Sequence, residues 1–306
     1  MIYIKPSFWQ KKSFTSFLLL PLTLVTFCIN FVKKFNIKKH FKIKIICVGN
    51  LSVGGTGKTS LAVELNKLLS TKFKTVFIKK KYANQKDEYN LLKGRGKTIS
   101  SKNRIDALKI AEKNFDLAIL DDGLQQKNIK YDLKIVCINS FEGFGNNFLL
   151  PAGPLRESIN KIKNYDIAFI NGEKSNNNLY LKLKSINKKL QIFEGKYKAV
   201  NLKTFNLKKK YLMFCGIGNP HEFEQILVKN KFLIKEKIIY PDHYKIPNEI
   251  LNKLKLKARS EDLAIVTTEK DFFRLNNSQR KNIKFLKISL RIKDIKKFKK
   301  LLISKL

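Results

Sequence analysis

The sequence predicts an α/β chain built on a parallel sheet, in two parts, with an apolar segment ahead of them. Three observations carry this. From residue 44 onward, short apolar β-rich runs alternate with stretches of helical spacing, as strands covered by helices do. The alternation pauses over the Lys/Asn-rich stretch 172–209 and then resumes. Residues 13–32, SFTSFLLLPLTLVTFCINFV, contain no charged side chain and lie between Lys11-Lys12 and Lys33-Lys34. At 306 residues the chain is long enough for two domains.

Taken in order, the apolar run is at the lower edge of the length that spans a bilayer, and Pro21 kinks a helix there. No small-x-small cleavage site follows it, which speaks against a secretory leader. The lysines after it (33, 34, 38, 39, 42, 44) place the body on the cytoplasmic side. The run is an anchor that either spans the membrane or lies in its interface.

The expected strands of the first part are 44–50, 75–80, 116–122, 133–139 and 165–171, with helices over 58–72 and 103–113. Within 172–209 one strand is expected, at QIFEGKY. The second part reads as YLMFCGIGN, a helix near 220–230, FLIKEKIIYP, a helix near 247–257, LAIVTTEKD, KFLKISL and a terminal basic helix. This gives an anchor and basic linker over 1–43, a core over 44–205 and a smaller α/β domain over 206–306.

Lys and Arg number 63 against 24 Asp and Glu, a formal charge of +39. Such a charge draws a protein to nucleic acid or to acidic lipid. Only seven of the 63 are arginine, the residue that reads base edges, and the apolar run has no place in a nucleic-acid enzyme. The expectation is an anionic membrane surface as partner, no nucleic acid and no obligate protein partner. The four cysteines form no CxxC pair, which fits a reducing compartment and disfavours zinc sites.

The strand KIICVGN runs into LSVGGTGKTS and then a helical stretch, the setting a phosphate-binding loop requires. Gly54, Gly55, Thr56 and Gly57 let backbone N–H groups close on phosphate oxygens at a helix N-terminus. Lys58 reaches the β- and γ-phosphates, and the Thr59 hydroxyl ligates Mg²⁺. Ser52 stands where the strict pattern has its first glycine. The fold class is therefore a P-loop NTPase-like parallel sheet core with a second, smaller α/β domain and an N-terminal membrane-associated helix. DLAILDDGLQQ ends a strand in Asp121 and Asp122 at the sheet edge where ligands of such folds sit, and an Asp there holds Mg²⁺. For a group that deprotonates an accepting hydroxyl, the sources are Asp87 and Glu88 in QKDEYNLL and His243 in YPDHYKI. Nothing in their spacing shows that they meet.

VGNLSVGGTGKTS, DDGLQQ, LLPAGPLRES at 149–158, GIGNPHEF at 216–223, YPDHY at 240–244 and TTEKDFFRL at 267–275 occur in this order. With the apolar N-terminal segment, the set resembles the tetraacyldisaccharide 4′-kinases, the lipid A 4′-kinase family, over about residues 8 to 290. The resemblance implies an ATP- and Mg²⁺-dependent kinase on the cytoplasmic face of the bacterial inner membrane. Its substrate is an acylated lipid, a tetraacyl glucosamine disaccharide 1-phosphate that receives a phosphate on its 4′-hydroxyl. It implies Asp87 as catalytic base with His243 as partner, and Asp121 and Asp122 serving metal and phosphates. It also implies that Arg104, Arg156 and Glu157 line the site, the arginines stabilising phosphate charge. Tyr82 falls at the tyrosine of the family's Ser-Arg-Gly-Tyr-Gly segment, which reads KKKYAN here, with Lys80 able to supply the charge. Gln126 replaces the histidine of DDGFQH, and Lys86 the glycine of GDE.

Overall fold

A computed structural model describes residues 5–32, 37–81, 86–172 and 177–306. In chain order the elements are α1 (Phe14–Leu18), α2 (Thr23–Val32), β1 (Lys44–Gly49), α3 (Lys58–Leu69), β2 (Thr75–Lys80), α4 (Lys86–Lys93), β3 (Thr98–Ser101) and α5 (Arg104–Ala111). They continue as β4 (Leu117–Asp121), β5 (Leu133–Asn139), β6 (Ile167–Asn171), α6 (Asn177–Ile186), β7 (Gln191–Ala199), β8 (Lys210–Cys215), α7 (Pro220–Lys229) and β9 (Leu233–Ile239). The chain ends in α8 (Asn248–Ser260), β10 (Ala264–Thr268), α9 (Glu269–Arg274), β11 (Ile283–Leu286), β12 (Ile288–Ile292) and α10 (Ile295–Lys305).

An eight-stranded sheet has the order β12-β7-β6-β5-β1-β4-β2-β3, and its pairings from β7 to β3 are parallel. Its central strands β1 and β4 are buried apart from Lys44 at the start of β1, as strands packed on both faces are, which is why they read as continuous apolar runs rather than alternating ones. Ile45, Cys47, Val76, Leu108, Ala118, Leu120, Val136 and Ile170 belong to one core cluster. In α3 the buried Leu61, Leu65 and Leu69 recur every four residues and form its core-facing stripe. A four-stranded sheet, β11-β10-β8-β9, is parallel as well. Successive residues of β8 feed opposite faces: Met213 and Cys215 pack with α7's Phe223 and Leu227, Leu212 and Phe214 with α8's Leu251 and Leu254.

Packing divides the described residues into a larger unit, 5–32, 37–81, 89–172, 177–196 and 292–306, and a smaller one, 86–88 and 197–291. Two boundaries differ from the sequence reading. The division falls inside β7 at 196/197 rather than near 205. The terminal helix α10 returns to the larger unit, where the buried Phe298 ring lies 4.7 Å from Phe193 and 6.0 Å from Phe169. KFLKISL is not one strand: the chain turns at Lys287, whose N–H donates to Asn201 Oδ1, while Asn201 Nδ2 donates to the Phe285 carbonyl. Helix α6 was not expected, because its only buried side chains are Leu179 and Leu183, set among lysines and asparagines.

The apolar N-terminal run is two helices, not one. Ser13 caps α1 reciprocally with Ser16. Pro21, which has no N–H to donate, lies in the break before α2. No helix among the described residues is long and apolar enough to cross a membrane. Polar contacts tie this region to the loop 144–157: Trp9 Nε1 donates to Pro151 O at 2.9 Å, Thr26 Oγ1 to Leu150 O at 2.7 Å and Asn30 Nδ2 to Arg156 O at 2.7 Å. Nothing on α2 is buried; Leu24, Val25, Phe27 and Phe31 remain exposed.

Replacing Phe298 by Ala removes a ring with no surface exposure, and a large-to-small change of this kind costs about 3–5 kcal/mol. The urea midpoint of the larger unit is expected to fall with its slope unchanged. An unaltered midpoint would show that α10 is not part of that core.

Candidate active site

The glycine loop and the two aspartates share one edge of the eight-stranded sheet because β1 and β4 are parallel neighbours, with Val48 opposite Asp121. Both strands therefore release their chains at the same end, the end that binds ligands in open α/β sheets. Gly57 caps α3 with φ 83° and Gly54 has φ 119°, backbone conformations that side chains rarely adopt. The segment 149–157 braces the loop: Val53 N–H donates to Pro154 O at 2.8 Å and Arg156 N–H to Leu51 O at 2.7 Å.

Asp121 and Asp122 are adjacent but face different partners. Asp121 ends the strand and is fully buried. Its Oδ2 accepts from Thr59 Oγ1 at 3.1 Å and from the buried Lys79 Nζ at 2.7 Å. Asp122 takes a left-handed conformation, φ 60°, which asparagine and aspartate tolerate, and this turns its side chain away from that of Asp121. Arg156 Nη1 donates to Asp122 Oδ1 and Oδ2 at 3.2 and 3.3 Å, and Lys58 Nζ lies 3.8 Å from Oδ1. Burial pushes the Asp122 carboxyl upward, but Lys58, Arg156 and Lys79 outweigh it, and the net shift is below the usual carboxylate range.

Around this pair, Arg104 does other work than its sequence position suggests. Its Nη2 donates to the carbonyls of Asp122 at 2.7 Å and Asp121 at 3.3 Å, and its Nη1 to Gln126 Oε1 at 3.2 Å. Arg104 thus fixes the aspartate turn, and Gln126, the departure from DDGFQH, helps to hold Arg104. Glu157 is buried against Lys127, 2.7 Å away, and Gln125 bridges Arg156 and the Asn50 carbonyl.

The donor set suits Mg²⁺. Asp121 Oδ1 is buried with no hydrogen-bond partner, the Thr59 hydroxyl is held by the other oxygen of the same carboxylate, and both are hard oxygen donors. No group of three or more His, Cys, Asp or Glu among the described residues forms a metal cage. Thr56 Oγ1 and Asn50 Oδ1 are likewise buried and unpartnered, each a cost of roughly 1–3 kcal/mol until a ligand satisfies it.

The remaining sequence candidates fall elsewhere. The backbone of Asp87 lies in α4, but its side chain is not among those described, and Tyr82 is outside the described residues. In the smaller unit Glu88 pairs with Lys270 at 3.2 Å. His243 has φ 62°, and its Nδ1 lies 3.3 Å from Arg274 Nη2. A guanidinium only donates, so Nδ1 accepts and the neutral ring carries its proton on Nε2, the atom 3.8 Å from Asp242 Oδ1. Arg274 is fixed in turn by Asp271 Oδ1 and Gly216 O, both at 2.6 Å. Sequence reasoning missed Lys79 and Arg274. The signal for the first was a charged residue inside the strand TVFIKK; for the second it was the arginine of TTEKDFFRL.

The sequence model of the family described as tetraacyldisaccharide-1-P 4′-kinase matches residues 15–98 and 73–306. The tetraacyldisaccharide 4′-kinase of Pelagibacter ubique (strain HTCC1062) is 43% identical over 297 residues, 95% of this chain and 95% of that protein. The protein of the same name from Rickettsia bellii (strain OSU 85-389) is 32% identical over 293 residues, 89% of this chain and 90% of that one. The chain belongs to the tetraacyldisaccharide 4′-kinase family. A crystal structure of LpxK from Aquifex aeolicus in complex with ATP superposes with a TM-score of 0.69 at 23% identity, covering 95% of this chain and 99% of that chain, and so shares the fold.

The depressed Asp122 pKa has a consequence for stability. A carboxylate held by cations stabilises the fold fully above its unfolded pKa of about 3.9, and that stabilisation is lost as pH falls through the lower folded value. Asp122→Asn is expected to unfold at a lower temperature than wild type at pH 7, with the gap closing below about pH 4. A gap of constant size from pH 7 to pH 3 would show that Asp122 is not ionised among these cations.

Proposed function

We propose that this chain is an ATP-dependent kinase that phosphorylates the 4′-hydroxyl of a tetraacyl glucosamine disaccharide 1-phosphate. The observation that carries the reading is the pair of divided carboxylates beside a glycine loop, in a chain of this family: one is turned to Thr59, the other to Lys58 and Arg156. Backbone N–H groups of Gly54 to Lys58 cradle the ATP phosphates, and the α3 N-terminus adds its dipole. Lys58 and Arg156 face the charge that spreads over the γ-phosphoryl oxygens during transfer; Asp122 keeps the two cations apart and aligned until the nucleotide arrives. Thr59 and Asp121 would hold Mg²⁺, which when bound would neutralise phosphate charge.

Asp87 is the proposed base for the 4′-hydroxyl proton. A carboxylate alone is weak at neutral pH, and an imidazole with its proton on Nε2 is suited to orient and tune one. His243, held in that form by Arg274, is the proposed partner. The acceptor carries four acyl chains, and each buried CH₂ is worth ~0.8 kcal/mol, so the lipid does not leave the bilayer. The exposed apolar side chains of α1 and α2 (Phe14, Phe17, Leu24, Phe27, Phe31) and the lysine excess bring the enzyme to it, at the anionic cytoplasmic face.

The test is a micelle assay with γ-labelled ATP, Mg²⁺ and the tetraacyl disaccharide 1-phosphate. Label is expected in the lipid with wild type, falling at least ~10²-fold in Lys58→Ala and ~10²–10⁴-fold in Asp87→Ala. Full transfer by Asp87→Ala would move the base elsewhere. A folded, ATP-binding wild type that transfers nothing would replace the kinase reading with that of a membrane-tethered nucleotide switch.

A further inference from the structure

Lys79 is a buried cation that the phosphate-loop chemistry above does not use. It arrives where it is through strand register. β2 and β4 are parallel neighbours with Ile78 opposite Leu120, and one step further sets Lys79 beside Asp121. The stem runs through the sheet core and its Nζ meets Asp121 Oδ2 at 2.7 Å, with both side chains almost wholly inaccessible. An ammonium at such a site requires a counter-charge, and the carboxylate it takes is the one best placed to receive a divalent metal. The Asp121 oxygens are therefore divided. Oδ2 is engaged by Lys79 and Thr59, while Oδ1 is buried without a hydrogen-bond partner. Lys79 also lowers the Asp122 pKa, so its charge is felt across the whole aspartate turn.

Given the nucleotide site proposed above, we propose that Lys79 is a built-in counter-cation that shares the Asp121 carboxylate with the divalent metal and thereby sets how strongly nucleotide binding depends on that metal. Two consequences follow from charge alone. A metal at Oδ1 meets an ammonium on the other oxygen of the same carboxylate, which weakens its hold. Nucleotide phosphates approaching without metal find a fixed positive charge near Asp121, which strengthens theirs. The second effect acts on nucleotide with or without metal and cancels from the comparison; the first acts only when metal accompanies the nucleotide, and so lowers the advantage that Mg²⁺ gives to nucleotide binding. Counting back from Tyr82, Lys79 stands at the serine of the Ser-Arg-Gly-Tyr-Gly segment. Lys79→Ser is therefore a natural variant to test, with Lys79→Met as a neutral substitution of similar length.

The experiment is calorimetric titration of ADP into the full chain, in saturating Mg²⁺ and in chelator, with circular dichroism to verify folding. The readout is the ratio of the two dissociation constants. In Lys79→Ser and Lys79→Met this ratio is expected to rise at least ~10-fold above wild type, with Lys79→Arg staying near it. Neutral variants that fold only when Mg²⁺ is present also support the proposal, because the metal then replaces the ammonium. An unchanged ratio in a folded neutral variant overturns it. So does failure of both neutral variants to fold with or without Mg²⁺, which makes Lys79 a structural residue. Absence of ADP binding by wild type overturns the nucleotide site itself, and this proposal with it.

Discussion

Two adjacent carboxylates at the end of one strand hold this site together, and their charge has to be compensated inside a largely dry sheet edge. Asp121 has Lys79 for that, and Asp122 has Lys58 and Arg156, while Arg104 secures the carbonyls of both. Left without partners, two such charges would be driven to neutrality by burial and mutual repulsion. With them, the turn becomes a cluster in which Lys79, Lys58, Arg156 and Arg104 outnumber the two carboxylates. The left-handed conformation at Asp122 makes the division possible, because it sends neighbouring side chains to different partners. The glycine loop, the brace at 149–157 and the register of β1, β2 and β4 all serve to bring those groups to one edge.

The brace also connects the site to the apolar N-terminus. Asn30 on α2 donates to the carbonyl of Arg156, and that residue's guanidinium grips Asp122. A helix whose apolar side chains are all exposed thus sits one residue away, through hydrogen bonds, from the guanidinium that holds Asp122. On the proposed function, in which these exposed apolar side chains meet the lipid, having them and the phosphate loop in one packed unit would keep the chemistry near the surface. The helices are short, and α2 keeps Thr26 and Asn30 for the protein. That explains an apolar run of 20 residues that does not form a single spanning helix.

Much of this was legible in the residues. The strands of the parallel core announce themselves because central strands buried on both faces leave unbroken apolar runs, and GGTGKT after such a run defines its own turn. The aspartate pair was legible as a strand end. The reading of Asp121 for the metal and Asp122 for catalysis came with it; the partners that separate the two carboxylates did not, since they depend on the Asp122 backbone and on side chains from β2, α3 and the 149–157 loop. Lys79 was hidden by composition: among 63 basic residues, one lysine in TVFIKK looks like another exposed charge until register places it beside Asp121. Helix α6 went unseen because two buried leucines are too few to give a period. The separation of β11 from β12 rests on the distant Asn201, which no local pattern can show.

The central claim is that Asp121 serves the metal and Asp122 the phosphate-binding cations. Its most direct test is an anomalous difference map from crystals grown with a non-hydrolysable ATP analogue and Mn²⁺. The account predicts one manganese peak bounded by Thr59 Oγ1, Asp121 Oδ1 and phosphate oxygens, with the triphosphate along Gly54–Lys58 and Arg156 turned to its terminal group. Manganese coordinated by Asp122 instead, or a triphosphate bound away from the glycine loop, would contradict it.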